Sequence, residues 1–531
     1  MKALPCSISA GRGDTRESGN AMLKAELGLN KLKSAPGWRL LPVLGAVAVL
    51  GSCMVGPDYV RPKAEAPDGY KEAGADWKPA EPQDHLPRGK WWELFNDPQL
   101  NALEAQIELS NQTVAVAVSQ YQQARALVQQ ARSAYFPTVT TSPSVTRSKA
   151  SGTLGAVPVA RPPITRYTLP VDVSWELDLW GRYRRAYEST EAAAQASAGD
   201  LESIRLTAQA ELAQDYFQLR MLDAQKRLLE DTAIGYQKSL QLTRNRYTSG
   251  VASKADVAAA ETQLRTTEAQ AIDLGVQRAQ MEHAIAILIG KPPSLFSLAP
   301  APLTDLPPPL PIGVPSALLE RRPDVAAAER RVQAANAQIG VAIAAYYPSL
   351  TLGASAGFDT TDLSKWLTFP SRFWSVGPQL AETLFDAGLR RAQTDQARAA
   401  YDGTVATYRQ TVLTGFQEVE DNLAALRILD QEAKVQSDAV AAADQSVRLF
   451  TNQYKAGTIS YLEVVTAQTT LLTNQRTAVT ILGQRMNASV LLVKALGGGW
   501  DASLLPDSKA LGRTYQEDRQ SAAAQAPAPT K

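Results

Sequence analysis

Side chains able to do chemistry are few in this 531-residue chain, and they are badly spaced for it. It holds two cysteines, Cys6 and Cys53, and two histidines, His85 and His283, far apart in sequence. A zinc centre needs three or four convergent Cys, His or acidic ligands, and a disulfide framework needs more cysteines than these. The phosphate-cradling GxxxxGK[ST] and the zinc helix HExxH are missing, and Gly353-Ala-Ser355-Ala-Gly357 has the letters of GxSxG but lies inside an alternating strand run rather than at the strand-to-helix turn a nucleophile elbow needs. Acidic residues are plentiful, which leaves a carboxylate pair open, but nothing places two of them together. The reading is therefore of a non-enzyme, with no catalytic residues, no metal site and no cofactor. With 54 basic and 53 acidic side chains the net charge is +1, so binding nucleic acid by neutralising phosphates is not expected.

Cys53 is the exception. Lys31, Lys33 and Arg39 precede the apolar stretch Leu40 to Leu50, which is too short to span a bilayer and has the form of an export signal. It ends in Leu50-Gly51-Ser52-Cys53, which resembles a bacterial lipobox. That resemblance implies cleavage before Cys53 and a covalent lipid on its sulfur; an ordinary signal with an incidental cysteine is the alternative. Residue 54 is Met rather than the Asp that commonly retains lipoproteins at the inner membrane. Residues 1–52 are thus expected to be a leader, with Met22 a second possible start. Arg12-Gly13-Asp14 falls in this stretch and is given no adhesive meaning.

These elements are carried by a chain written twice. Tyr135-Phe136-Pro137 recurs as Tyr346-Tyr347-Pro348. Tyr247 to Ser253 recurs as Tyr454 to Ser460, and from there the offset stays at 207 as far as Gly290 and Gly497. The expected organisation is a lipidated extended segment 53–97, a first repeat 98–290, a proline-rich linker 291–314, a second repeat 315–497 and a largely disordered tail 498–531. Each repeat should hold a helix (98–134, 316–346), two strands, a very long helix (186–249, 388–456), a tight turn and a last helix (251–289, 458–496).

The strand pattern is unusually clear. Tyr167, Leu169, Val171, Val173, Trp175, Leu177 and Leu179 alternate with polar partners, and Leu350 to Phe358 repeat the pattern. Val139, Thr141 and Val145 give a weaker version, as do Trp374, Val376, Pro378, Leu380 and Leu384. A sheet on a globular core alternates in the same way. These runs are longer than usual, however, and Tyr167, Trp175, Trp180, Trp366, Phe369 and Trp374 cluster near their ends, as at a membrane interface. A sheet in lipid must close, and four strands cannot. Several copies would have to share one barrel, eight strands for a dimer or twelve for a trimer.

The last helices carry matching seams at steps of three and four. One runs Val257, Ala260, Leu264, Thr267, Ala271, Leu274, Arg278, Met281, Ile285, Leu288. The other runs Val464, Ala467, Leu471, Asn474, Ala478, Ile481, Arg485, Ala488, Leu492, Ala495. Arg278 and Arg485 are expected to pack their stems and reach water with their heads. Arg321-Arg322 before Pro323 is expected to be structural, with Pro323 starting a helix. Asp172, Glu176 and Asp178 are expected either to face a lumen or to pair with Arg166 or Arg182.

Several motifs resemble the TolC-type outer-membrane efflux channels, in particular the lipoprotein subgroup serving RND-type pumps. They are Cys53-Met-Val-Gly56-Pro57-Asp58-Tyr59-Val-Arg-Pro62, Trp91-Trp92-Glu-Leu-Phe95-Asn-Asp97-Pro98, Ala131-Arg132-Ser133-Ala-Tyr-Phe136-Pro137 and Arg321-Arg322-Pro323-Asp324-Val325. The resemblance implies an α+β membrane protein. A homotrimer would share a transmembrane β-barrel, four strands per chain, above a long coiled-coil-like α-helical barrel in the periplasm. It also implies a lipid-anchored outer-membrane location, a periplasmic adaptor and an inner-membrane RND-type pump as partners, and passive conduction of substrate. A non-channel structural or adaptor coiled-coil lipoprotein is the alternative.

The resemblance places the turns at Gly250 and Gly457 at the closed periplasmic tip. From the residues alone, each glycine ends a helix in the left-handed conformation. Ser253-Lys-Ala-Asp256 and Ser460-Tyr-Leu-Glu463 read as N-capping motifs, the second a standard capping box. The resemblance adds a gate: Asp256 pairing with Tyr454, Leu462 forming a constriction, and a position, Thr466, where relatives often carry Asp. With Thr there, an acidic ring would have to come from Glu463.

Overall fold

The computed structural model describes residues 54–72, 89–151, 162–303, 306–308, 318–513 and 517. The expected leader and Cys53 lie outside them. The first repeat contains α1 (Pro98–Ser110), α2 (Gln112–Ser133), β1 (Thr138–Thr141), β2 (Ser144–Ser148), β3 (Ile164–Leu177), α3 (Arg182–Thr248) and α4 (Lys254–Leu288). The second contains α5 (Leu318–Arg321), α6 (Pro323–Ala344), β4 (Ser349–Thr360), β5 (Arg372–Ala381), α7 (Leu389–Ala456) and α8 (Tyr461–Ala495); α9 (Ser508–Leu511) follows. At 1.5 Å per residue the 68 residues of α7 extend about 100 Å.

Two expected helices are each broken. Asn111 ends α1 and caps α2 with its side chain on the Val114 amide at 3.0 Å, while its amide group donates to Leu288 at 2.8 Å. Arg322 stands between α5 and α6, extended ahead of Pro323 as a residue before proline must be. Of the expected tail, residues 498–513 are ordered, and all the rest but residue 517 lies outside the described residues. Leu511 is fully buried with Val128 and Ala194, and Arg125 donates to the carbonyls of Ala510 and Arg513 at 3.0 and 2.9 Å. An apolar anchor and two held carbonyls order this part of a composition that reads as disordered.

The strands form one antiparallel sheet in the order β1/β2, β3, β4, β5. β1 and β2 share a single register on β3 and are one arm interrupted at Ser142-Pro143, where proline removes a ladder donor. Four arms therefore meet the expected count. Opposite Pro170, a Cβ on Gly357 would sit 2.0 Å from the Leu169 carbonyl oxygen, so only glycine lets these strands close. Among the described residues, β1/β2 and β5 are open edges.

The predicted seam of α4 is buried at Ala260, Leu264, Thr267, Ala271, Leu274 and Ile285. In α8, Val464, Ala467, Ile481, Ala488, Leu492 and Ala495 are buried, but Leu472 replaces Leu471. The largest core joins Trp91, Trp92 and Phe95 to α1, α3 and α8. Burial is unequal between the repeats: 25 of 67 residues of α3 are buried and 8 of 68 of α7.

The arginines of the seams do not reach for water. Arg278 binds Asp223 at 2.7 Å, Glu282 at 3.2 Å and the Leu298 carbonyl at 2.6 Å; Arg485 binds Asp430 at 2.8 Å. A carboxylate on the facing helix outcompetes solvent because it supplies charge as well as acceptors.

Residues 54–72 form a strap. The Val55 amide donates to Trp180 at 3.1 Å, and Arg185, 1 % exposed, holds the Val55 carbonyl and Asp58. Tyr59 donates to Glu329, the amides of Lys71 and Glu72 bind Glu420, and Glu72 pairs with Arg427.

Candidate functional site

The turns after α3 and α7 lie together at the far end of the long helices. Gly250 and Gly457 have φ of 75° and 79°, as expected. The amides of Val251 and Thr458 reach back to the carbonyls of Arg246 and Gln453, closing each helix end. A core of Tyr236, Leu240, Ala260, Leu264, Tyr454, Tyr461 and Val464 fuses the two hairpins here.

Both motifs are expected to cap and the second to be the standard box, but only the first forms one. Ser253 and Asp256 make the reciprocal box, Asp256 N to Ser253 Oγ at 3.1 Å and Ser253 N to Asp256 Oδ2 at 2.9 Å. Ser460 does not accept from an amide; its hydroxyl donates to the Glu463 carboxylate. That bond, and backbone donors beside it, hold the exposed Glu463 carboxyl below its ordinary pKa. Glu463 is therefore a fixed negative charge at neutral pH.

The structure does not bring Asp256 to Tyr454. The Asp256 carboxylate is engaged by its own cap, and the Tyr454 hydroxyl, buried, has no hydrogen-bond partner among the described residues. The contact that spans the hairpins is made instead by Arg246. Its guanidinium lies 4.7 Å from the centre of the Tyr454 ring and donates to the Lys455 carbonyl at 2.9 Å. The Tyr454 and Tyr461 rings meet at 5.2 Å. Further along, Tyr236 donates to the Gln468 carbonyl at 3.3 Å and Gln263 to Thr469 at 3.1 Å. Arg246 carried no sequence signal, because a helix-end arginine is ordinary and its partner lies 209 residues away.

Leu462, Glu463 and Thr466 share one groove with Ala443, Ser446, Phe450, Ala467 and Thr470, of about 410 Å³. Leu462 is 70 % exposed. Thr466 returns its hydroxyl to the Leu462 carbonyl at 2.9 Å, which leaves its methyl outward. The groove thus offers an apolar floor with one permanent acid at its rim.

The other named polar residues are structural. Arg322 is held by Asp324 at 2.7 Å, Glu418 at 2.6 Å and the Ala495 carbonyl at 3.1 Å, joining α6, α7 and α8. Asp178 caps α3 through the amides of Tyr183 and Arg184, and Glu176 pairs with Arg182 at 3.6 Å. Arg166 goes to Asp359 rather than to those acids.

Residues 96–291 and 314–498 match the family described as outer membrane efflux protein. The chain belongs to that family. The solvent efflux pump outer membrane protein SrpC of Pseudomonas putida is 33% identical over 89% of this chain and 99% of its own length. The pyoverdine export outer membrane protein OpmQ of Pseudomonas aeruginosa is 30% identical over 87% and 97%. Among solved structures, the outer-membrane channel OprN superposes with a TM-score of 0.79 at 32% identity, covering 84% of this chain and all of that one. The channel CusC gives 0.75 at 25% identity with 84% and 100% coverage. This efflux protein is accordingly the outer-membrane component of an efflux system, a channel with its helices on the periplasmic side.

Proposed function

We propose that three copies of this chain close one twelve-stranded barrel and one helical tunnel, anchored by a lipid on Cys53. The supporting observation is the sheet. Among the described residues its four arms have two unpaired edges, and one face carries Trp374, Val376 and Leu380 at 68–78 % exposure. In water such a sheet aggregates; in lipid it must pair its edges with further copies. A soluble adaptor of coiled-coil hairpins has no use for that face. The lipid anchor is supported by its neighbour: Met54 packs against Gly181, where β3 passes into α3, so a chain attached one residue earlier enters at the inner leaflet.

The helical tip is the closed end of the conduit. Tyr454, Tyr461 and Arg246 hold the hairpins together, and Leu462, Glu463 and Thr466 line the groove that a periplasmic adaptor's helices enter. Asp256 and Ser253, with Gly250, Gly457 and Ser460, shape the turns that present it. The energy comes from an inner-membrane pump of the RND type, and this chain conducts passively. Heat-modifiable trimers in outer-membrane fractions, with single-channel currents in planar bilayers, are the expected result. A soluble monomer without conductance overturns the reading. Deleting the gene and profiling sensitivity across solvents, drugs, chelators and metals identifies the cargo.

A further inference from the structure

Strand register assigns every side chain of the sheet to a face. Val139, Val173, Ala354 and Val376 form one row, each directly opposite the next, and Leu169, Phe358 and Arg372 form another. Val145 lies opposite Tyr167 and Arg147 opposite Thr165. Period-2 alternation then puts Arg147 and Arg372 on the same face as Val145, Tyr167, Trp374 and Val376, the uncovered apolar face. Both arginines stand at the hairpin end of the sheet, the end away from the helices, one on each open edge.

Their situation contrasts with that of Arg166. Arg166 is on the opposite face and is paired through two nitrogens with Asp359. Arg147 and Arg372 are exposed and have no carboxylate partner among the described residues. Arg372 only rests on the Phe369 ring, 4.5 Å from its centre. An arginine on a face that meets hydrocarbon must lift its guanidinium to the polar boundary, and a planar fork there matches phosphate oxygens in pairs. Closing the barrel with further copies also brings the β2 edge of one chain beside the β5 edge of the next. Two like charges then share one rim, which an anion would relieve.

We propose that Arg147 and Arg372 form a binding site for the phosphorylated headgroup of an outer-leaflet lipid, with Trp374 and Phe369 against its acyl chains. This rests on the reading that the apolar face meets lipid, so the test separates the two. Full-length protein in neutral detergent is titrated with diphosphorylated lipid A, and its unfolding temperature is followed. The temperature should rise for the native chain. For the double substitution Arg147→Gln, Arg372→Gln, half-saturation should need about tenfold more lipid. The double Arg→Lys variant should respond in between, since lysine keeps the charge and loses the fork. An equal response from the double Gln variant overturns the site, as does an equal rise with dephosphorylated lipid A. An equal rise with inorganic phosphate assigns the site to a free anion and overturns the lipid.

A second measurement guards the premise. In vesicles of brominated phosphatidylethanolamine, the share of tryptophan quenching lost on Trp374→Phe reports whether that face meets acyl chains. No loss overturns the lipid-facing sheet itself. A clear loss without any phosphate dependence overturns only the headgroup site.

Discussion

Arg278 meets Asp223 at 2.7 Å across the first long hairpin, and 207 residues on the contact returns as Arg485 to Asp430 at 2.8 Å. The duplication has preserved an ion pair as well as a fold. The two copies differ in their surroundings. Asp223 is 2 % exposed, and also accepts from Arg220 and the Ala301 amide, while Asp430 is 43 % exposed and shares itself with Lys434.

The two pairs should respond unequally to the same change. Arg278→Ala strips one partner from a buried carboxylate and should cost about 3 kcal/mol. Arg485→Ala breaks a solvated pair and should cost at most about 1 kcal/mol. Denaturant midpoints of the detergent-solubilised variants decide this; equal losses would refute the distinction.

Glu104 should behave as a neutral acid. It is fully buried on α1, both carboxyl oxygens lack a partner among the described residues, and burial raises its pKa well above the carboxylate range. Because the folded state favours the protonated form, its contribution is complete below the unfolded carboxylate pKa and is lost as pH rises through the folded value. Glu104→Gln removes that loss. The variant should therefore be more stable than the native chain at pH 8, by about 2 kcal/mol, with the gap closing towards pH 4. Paired unfolding curves across that range test it, and a gap independent of pH would contradict it.

In the proposed gate, the ring of Tyr454 should matter and its hydroxyl should not. Arg246→Ala removes a cation–π contact and a carbonyl bond, together about 2 kcal/mol, enough to raise the open-to-closed ratio about tenfold or more. Tyr454→Ala should do the same and Tyr454→Phe should not. Planar-bilayer conductance is the measure. A leak in Tyr454→Phe, shared by Asp256→Ala, would restore a direct Asp256–Tyr454 link and displace Arg246.

The strap depends on two glycines in contact. A Cβ on Gly56, which has φ 99°, would lie 2.5 Å from the Gly340 Cα, and one on Gly340 would lie 2.8 Å from the Arg185 side chain. Gly56→Ala should lift residues 54–72 at a cost of about 2 kcal/mol. Limited proteolysis should then cut within the strap before any helix; an unchanged digestion pattern would argue against it.

What could be read in advance follows from periodicity. Alternation from Tyr167 to Leu177, the steps from Val257 to Leu288 and the glycines at 250 and 457 are local signals, and each became the element it predicted. The break at Asn111 was hidden because asparagine also occurs inside helices, whereas the one at Arg322 was marked by Pro323. The strap has no period at all; its partners, such as Glu329 and Glu420, lie hundreds of residues away. At the site, turn and cap residues were legible, whereas Arg246 and the destinations of Arg278 and Asp256 depend on tertiary neighbours. Ser460 illustrates the limit: its motif fits a capping box, but the hydroxyl turned its proton to Glu463.

The unequal burial of α3 and α7 sets how substitutions in the two halves will be felt. A change on the inner face of α3 alters the fold of a single chain and should appear as degradation before assembly. The corresponding change on α7 leaves the single chain intact and should appear only when copies meet, as impaired oligomer yield. It should also act dominantly over native subunits in mixed oligomers. On the proposed trimer, one ancestral unit serves as a scaffold in its first copy and as a joint in its second.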